Sequence, residues 1–189
     1  MGSTSSAPWG VALGYSYHLA AVLAVRDALG IRDPLGIPAV VAQPSVVVES
    51  TVHGAAGVDA EWLRWWERAL AASKQDESAV PLSPGGALGR IVEDNRDAIR
   101  LWSAERKRDV ANASRPVRGA LRMRDAVREY ERTTGARLGG FRLKVTALPI
   151  TGALFLPIGG NRILISAELL RHREEYIRRV IAYVAAEGI

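Results

Sequence analysis

The sequence predicts an α+β fold, a small antiparallel β-meander or sheet packed against several α-helices, and three observations carry that expectation. Between Phe141 and Ser166 apolar and polar residues alternate in short runs broken by proline and glycine, the period of half-buried strands. Five other stretches repeat their apolar residues every three or four positions, as amphipathic helices do. The chain is 48% hydrophobic over 189 residues, enough to bury one core and too apolar for a disordered chain.

The elements follow in order. Residues 1–8 open with Gly, Ser and Thr and are expected to form a disordered leader. One α+β domain is expected over 9–189, with any sub-boundary in the polar, Pro/Gly-rich linker 74–86. Val11, Leu13, Tyr15, Tyr17 and Leu19 alternate with smaller or polar residues, which predicts a strand. Leu19 to Leu29 reads as a short helix stopped by Gly30. Pro34, Gly36 and Pro38 make a rigid loop, and Val40-Val41 and Ser45 to Val52 are β-branched and strand-like. A turn at Gly54 to Gly57 precedes a helix capped by Asp59 and running to Ala72. The longest helix is expected from Ala87 to about Asn112, with Leu88, Ile91, Ile99 and Trp102 on its apolar side. Arg115-Pro116 marks a break, and another helix runs from Val117 to Thr134. A strand at Phe141–Ala147 is ended by Pro149; the short apolar run Ala153 to Ile158, the tight turn Gly159-Gly160-Asn161 and the returning strand Arg162–Ser166 follow. Ser166 then caps a final helix whose wide apolar face includes Leu169, Leu170, Tyr176, Val180 and Val184.

Chemistry is harder to find. There is no cysteine, which excludes disulfides and cysteine-ligated zinc and makes a cytoplasmic location the expectation. Trp9 to Val25 carries no formally charged residue, yet it lacks a basic leader, alternates in its first half, and is short for a membrane span. No membrane is therefore expected among the partners. The histidines His18, His53 and His172 share no ligand spacing, so no metal site is expected. No serine stands in a nucleophile elbow, and no catalytic residue or cofactor is expected. The Gly-rich run Pro84 to Arg90 opens a helix where amides attract anions, but it lacks the Lys-Ser/Thr end of a phosphate loop.

Two surfaces remain. The helix at 59–72 bears Trp62, Trp65 and Trp66, an apolar face wider than one core contact needs. Its readings are deep packing or an interface with a protein partner or a second copy. The net charge of +5 arises in the middle of the chain: residues 90–144 hold fifteen Lys/Arg against eight Asp/Glu. Arg118, Arg122, Arg124, Arg128 and Arg132 make that segment a candidate surface for nucleic acid or an acidic partner, against a solvated face as the alternative.

The tail also resembles the SprT-like zinc metallopeptidases. The resemblance lies in Thr134-Gly135, strand Leu143-Lys144-Val145, strand Arg162–Ser166, Leu169-Leu170 and the helix Val180–Glu187. In that family such a meander precedes a helix bearing His-Glu-x-x-His. Here Tyr183 stands at the first histidine, Val184 at the glutamate and Glu187 at the second histidine. No third ligand is expected in the two residues that follow. The resemblance implies a zincin-like scaffold without its catalytic zinc. The expected function is a non-enzymatic intracellular interaction or structural module able to self-associate. The alternatives are nucleic-acid binding through helices 90–137 and the catalytically dead zincin-like scaffold.

Overall fold

The structure, a computed structural model, describes residues 9–47, 57–73, 84–117 and 120–188, without the side chains of 120–122. Among them seven helices and a four-stranded mixed sheet make an α+β fold. The chain divides into two compact units, neither continuous in sequence. A sheet unit takes Met1–Gly14, Ala111–Ala147 and Gly152–Ile189. A helical unit takes Tyr15–Val110 and Leu148–Thr151. The divisions fall outside the 74–86 stretch. Residues 1–8, His53, Arg118 and residues 74–83 lie outside the described residues.

In the helical unit, α1 (Tyr17–Leu29) begins earlier than its apolar run suggests. Ser16 Oγ accepts the Leu19 N–H at 3.2 Å, and this cap ends the preceding strand before Tyr17. Gly30 closes the helix in the left-handed region that glycine enters freely. The helix α2 (Val58–Ala72) packs on α1, and the Trp62 indole N–H donates to Val22 O at 2.9 Å. Gly57, rather than Asp59, is its N-cap. Asp59 lies within the first turn, where a carboxylate favours the helix dipole.

The long helix expected over 87–112 is two helices, α3 (Gly86–Asp94) and α4 (Arg96–Ser114). Asn95 separates them. Its side-chain oxygen accepts Val47 N–H at 2.7 Å and its amide donates to Val47 O at 2.8 Å. Asparagine here trades helix continuity for a backbone partner. The strand-like 40–52 stretch forms one isolated bridge, Val40 to Ile150; residues 48–52 are not described. Residues 148–151 serve this unit, with Val41 N–H donating to Pro149 O and Thr151 N–H to Ala39 O, each at 2.8 Å.

Buried Arg26 ties the 31–38 loop down. It pairs with Asp27 and Asp33 at 2.6 Å and donates to Ile37 O and Pro38 O at 2.8 Å. A charge that is 3% exposed is tolerated because every side of it is met.

The sheet unit holds β1 (Gly10–Tyr15), β2 (Arg142–Leu148), β3 (Phe155–Pro157) and β4 (Arg162–Ser166), in the order β1-β2-β4-β3. The sheet is not a simple meander. β3 pairs antiparallel with β4, Leu156 opposite Leu164. Gly10 N–H donates to Phe141 O at 2.8 Å and Lys144 N–H to Asn161 O at 2.9 Å. These start-to-start bonds are those of parallel neighbours, with Gly10 beside Arg142 and Lys144 beside Arg162. Pro149 explains the departure: it cannot donate to a ladder, so the chain leaves the sheet and returns on the far side of β4.

Helix α5 (Ala120–Thr134) packs on the terminal helix α7 (Arg173–Glu187). The single helix expected after Ser166 is two, α6 (Ala167–Arg171) and α7, broken at His172 where φ −90° and ψ 67° leave the helical region. Ser166 does cap α6, its Oγ accepting Leu169 N–H at 3.1 Å. The unit's buried residues include Val127, Leu143, Val145, Ile163, Ile165, Tyr176, Val180 and Val184.

Candidate functional site

The three tryptophans of α2 are core. Trp62, Trp65 and Trp66 are 0%, 2% and 3% exposed, and the rings of Trp62 and Trp66 stack at 6.1 Å. Their wide face is used up inside the helical unit, so as folded they offer a partner no surface. The large apolar side chains that do reach solvent in this unit include Val47, 79% exposed, and Leu101 on α4, 64% exposed.

Of the five arginines, Arg118 is outside the described residues and the Arg122 side chain is not described. Arg124, Arg128 and Arg132 lie one turn apart along α5 and are exposed. Arg132 is held by Glu129, its Nε donating at 3.0 Å and Nη2 at 2.6 Å. That hydrogen bond keeps the Glu129 carboxyl below its usual range and raises the Arg132 guanidinium above its own. Among the described side chains of the row, Arg124 and Arg128 are the cations outside any ion pair.

The compact units also differ in charge. The sheet unit holds fourteen Lys/Arg against seven Asp/Glu, net +7. The helical unit holds eleven against thirteen, net −2. Such segregation gives the sheet unit a field that attracts anions over a Debye length, about 8 Å at physiological ionic strength.

Two other candidate anion sites are already occupied by the chain's own groups. Gly86, at the start of α3, has φ +65°, and a Cβ there would meet Glu61 Oε1 at 2.6 Å. A carboxylate of α2 thus fills the space that the Gly-rich run offers. At the start of α7 a depression of about 600 Å3 is lined by His172, Arg173, Glu174, Glu175 and Arg178. Glu175 there accepts from Arg178 and, at 2.7 Å, from Arg179. Those bonds hold its carboxyl below the usual range.

Tyr183, Val184 and Glu187 all lie on α7. Tyr183 and Glu187 stand one turn apart, the Tyr183 ring lying edge-on to Phe155 at 6.2 Å. Partial burial and the Glu187 charge raise the Tyr183 phenol above its usual range. Val184 is fully buried. Among the described residues no group of three or more His, Cys, Asp or Glu is placed to hold a metal ion. Among them, too, no helix is long and apolar enough to cross a membrane.

Sequence reasoning gave no role to the Arg26 network, although Asp27 and Asp33 around one arginine beside Pro34 and Pro38 were a readable signal. It also treated Arg142 and Lys144 as ordinary outward positions of a strand. No protein-family model, curated protein or solved structure matches this chain.

Proposed function

We propose that this chain is a non-enzymatic interaction module of the cytoplasm that binds a polyanion, nucleic acid foremost, through its basic sheet unit. The observation that carries the reading is the partition of charge, +7 on the sheet unit against −2 on the helical unit. The α5 arginines supply its contact groups. Arg124 and Arg128 sit about 6 Å apart along the helix axis and point cations at solvent, where arginine meets phosphate oxygens in bidentate pairs. Acidic residues on the same helix, Asp125, Glu129 and Glu131, temper the field of its four arginines without neutralising it.

The test is fluorescence anisotropy with labelled 20-nucleotide DNA and RNA from 50 to 200 mM salt. Binding should weaken steeply with salt. Arg124→Glu with Arg128→Glu should lower affinity at least tenfold and make the slope of log K against log salt shallower by about 1.4 for single strands. No binding at 50 mM salt would end the reading.

A second reading, self-association, has one observation in its favour: the solvent-exposed Val47 and Leu101 of the helical unit. Light scattering of the purified chain should then give a mass above 20.4 kDa that returns to monomer in Leu101→Glu. A monomer at all concentrations removes it.

A further inference from the structure

The inference concerns an edge of the sheet, not α5, and stands apart from the polyanion reading. Gly10 N–H donates to Phe141 O, so Gly10, Ala12 and Gly14 turn their backbone groups toward β2. The N–H and C=O groups of Val11 and Leu13, the alternate residues, then face away from the sheet. β1 is an outer strand of the sheet. Among the described residues neither Val11 nor Leu13 has a backbone partner on that outer side.

Exposed edges are commonly blunted by short strands, proline, charge or a bulge. The other edge, β3, has two of these devices. It is three residues long. Ile158 N–H donates to Arg162 O and Ser166 N–H to Leu154 O, so Phe155 and Pro157 are the residues whose backbones turn outward. Proline offers no donor there. β1 has six residues and carries neither proline nor charge. Its Val11 and Leu13 are half-exposed, whereas Leu143 and Val145 beside them on β2 are buried. A strand laid along this edge completes their burial.

Charge says what kind of strand. Arg142 stands beside Gly10 on β2, is exposed, and is outside any ion pair among the described residues. A Cβ added at Gly10 would lie 3.8 Å from Arg142 Cγ. Because Gly10 has no side chain, the guanidinium has an open path across β1 to a side chain on an added strand, about 10 Å from β2. None of the four strands contains an aspartate or glutamate, and the unit carries +7.

The geometry points to strand addition at this edge: an extended acidic segment of a partner protein pairs antiparallel with β1. Its apolar side chains lie against Val11 and Leu13, and a carboxylate opposite Gly10 meets Arg142. A second copy of this chain suits the edge less. It brings no carboxylate to Arg142 and sets one +7 unit against another. Nucleic acid suits it less too, since phosphate oxygens only accept and leave the outward carbonyls unmet.

The test uses the full chain, the labelled peptide Ser-Glu-Val-Glu-Val-Glu-Val-Ser and its lysine-for-glutamate counterpart. Affinity is read by anisotropy and amide exchange by NMR. In the free chain Val11 and Leu13 amides should exchange fast, and Ala12 and Gly14 slowly. The acidic peptide should slow Val11 and Leu13 severalfold, and the lysine peptide should bind more weakly. Arg142→Glu should weaken the acidic peptide about fivefold. Leu13→Pro removes only an outward donor and should cost about as much; exposed Arg142 keeps the test open if the proline variant does not fold.

No peptide binding, binding that leaves Val11 and Leu13 unprotected, or equal affinity for the lysine peptide overturns the proposal. Protection that appears with protein concentration alone, at dimer mass, assigns the edge to a second copy. Protection by oligo(dT)20 assigns it to nucleic acid. Either overturns the acidic strand. Oligonucleotide binding without peptide binding sinks this edge and leaves the polyanion reading standing; peptide binding without oligonucleotide binding does the reverse.

Discussion

Arg26 and Tyr176 show how single residues set the conditions under which this fold holds. Arg26 is buried and fully met, so its charge fixes the 31–38 loop rather than destabilising it. Tyr176 is buried too, and burial pushes its phenol up to about 12 from 10.0. Below pH 10 both folded and unfolded chains keep that proton, and no stability is lost. Between pH 10 and about 12 the unfolded chain releases it and the folded chain does not, so stability falls as pH rises. The slope in that window is about 1.4 kcal/mol per pH unit. Alkaline denaturation curves of Tyr176→Phe should lack this component. A variant whose alkaline transition matches the wild type would show that Tyr176 is not its source.

The elements were legible where local signals suffice and misread where a distant partner decides. The Ser16 and Ser166 caps rest on side-chain chemistry within three residues, though only the second was read from the sequence. The breaks at Asn95 and His172 were missed because the apolar period runs straight through both. Nothing near Asn95 announces that its amide answers a backbone forty-eight residues away. The strand order was hidden for the same reason: only the pairing of 148–151 with 39–41 reveals why β3 lies outside β4. The arginine row was readable as a helical spacing of four, but its pairing with Glu129 was not used. The tryptophans could be read as core or interface from the sequence, and burial decides for core. Asn95→Ala leaves Val47 N–H and O without their partner and should cost about 1–3 kcal/mol. Urea denaturation at pH 7 would show this as a lower midpoint at constant slope, and an unchanged midpoint would mean that water replaces the amide fully.

For the whole molecule, charge and connectivity organise the chain on the same division. The basic unit is not a basic segment: its three pieces are gathered from the start, middle and end of the sequence. The chain passes from one unit to the other four times, at 14/15, 110/111, 147/148 and 151/152. The consequence is for inheritance as much as for folding. No single excision of DNA isolates the basic unit, because any continuous fragment that includes β2 and β4 either omits β1 or carries the whole helical unit with it. A gene fusion or a splice cannot move this surface alone; it has to move the entire chain.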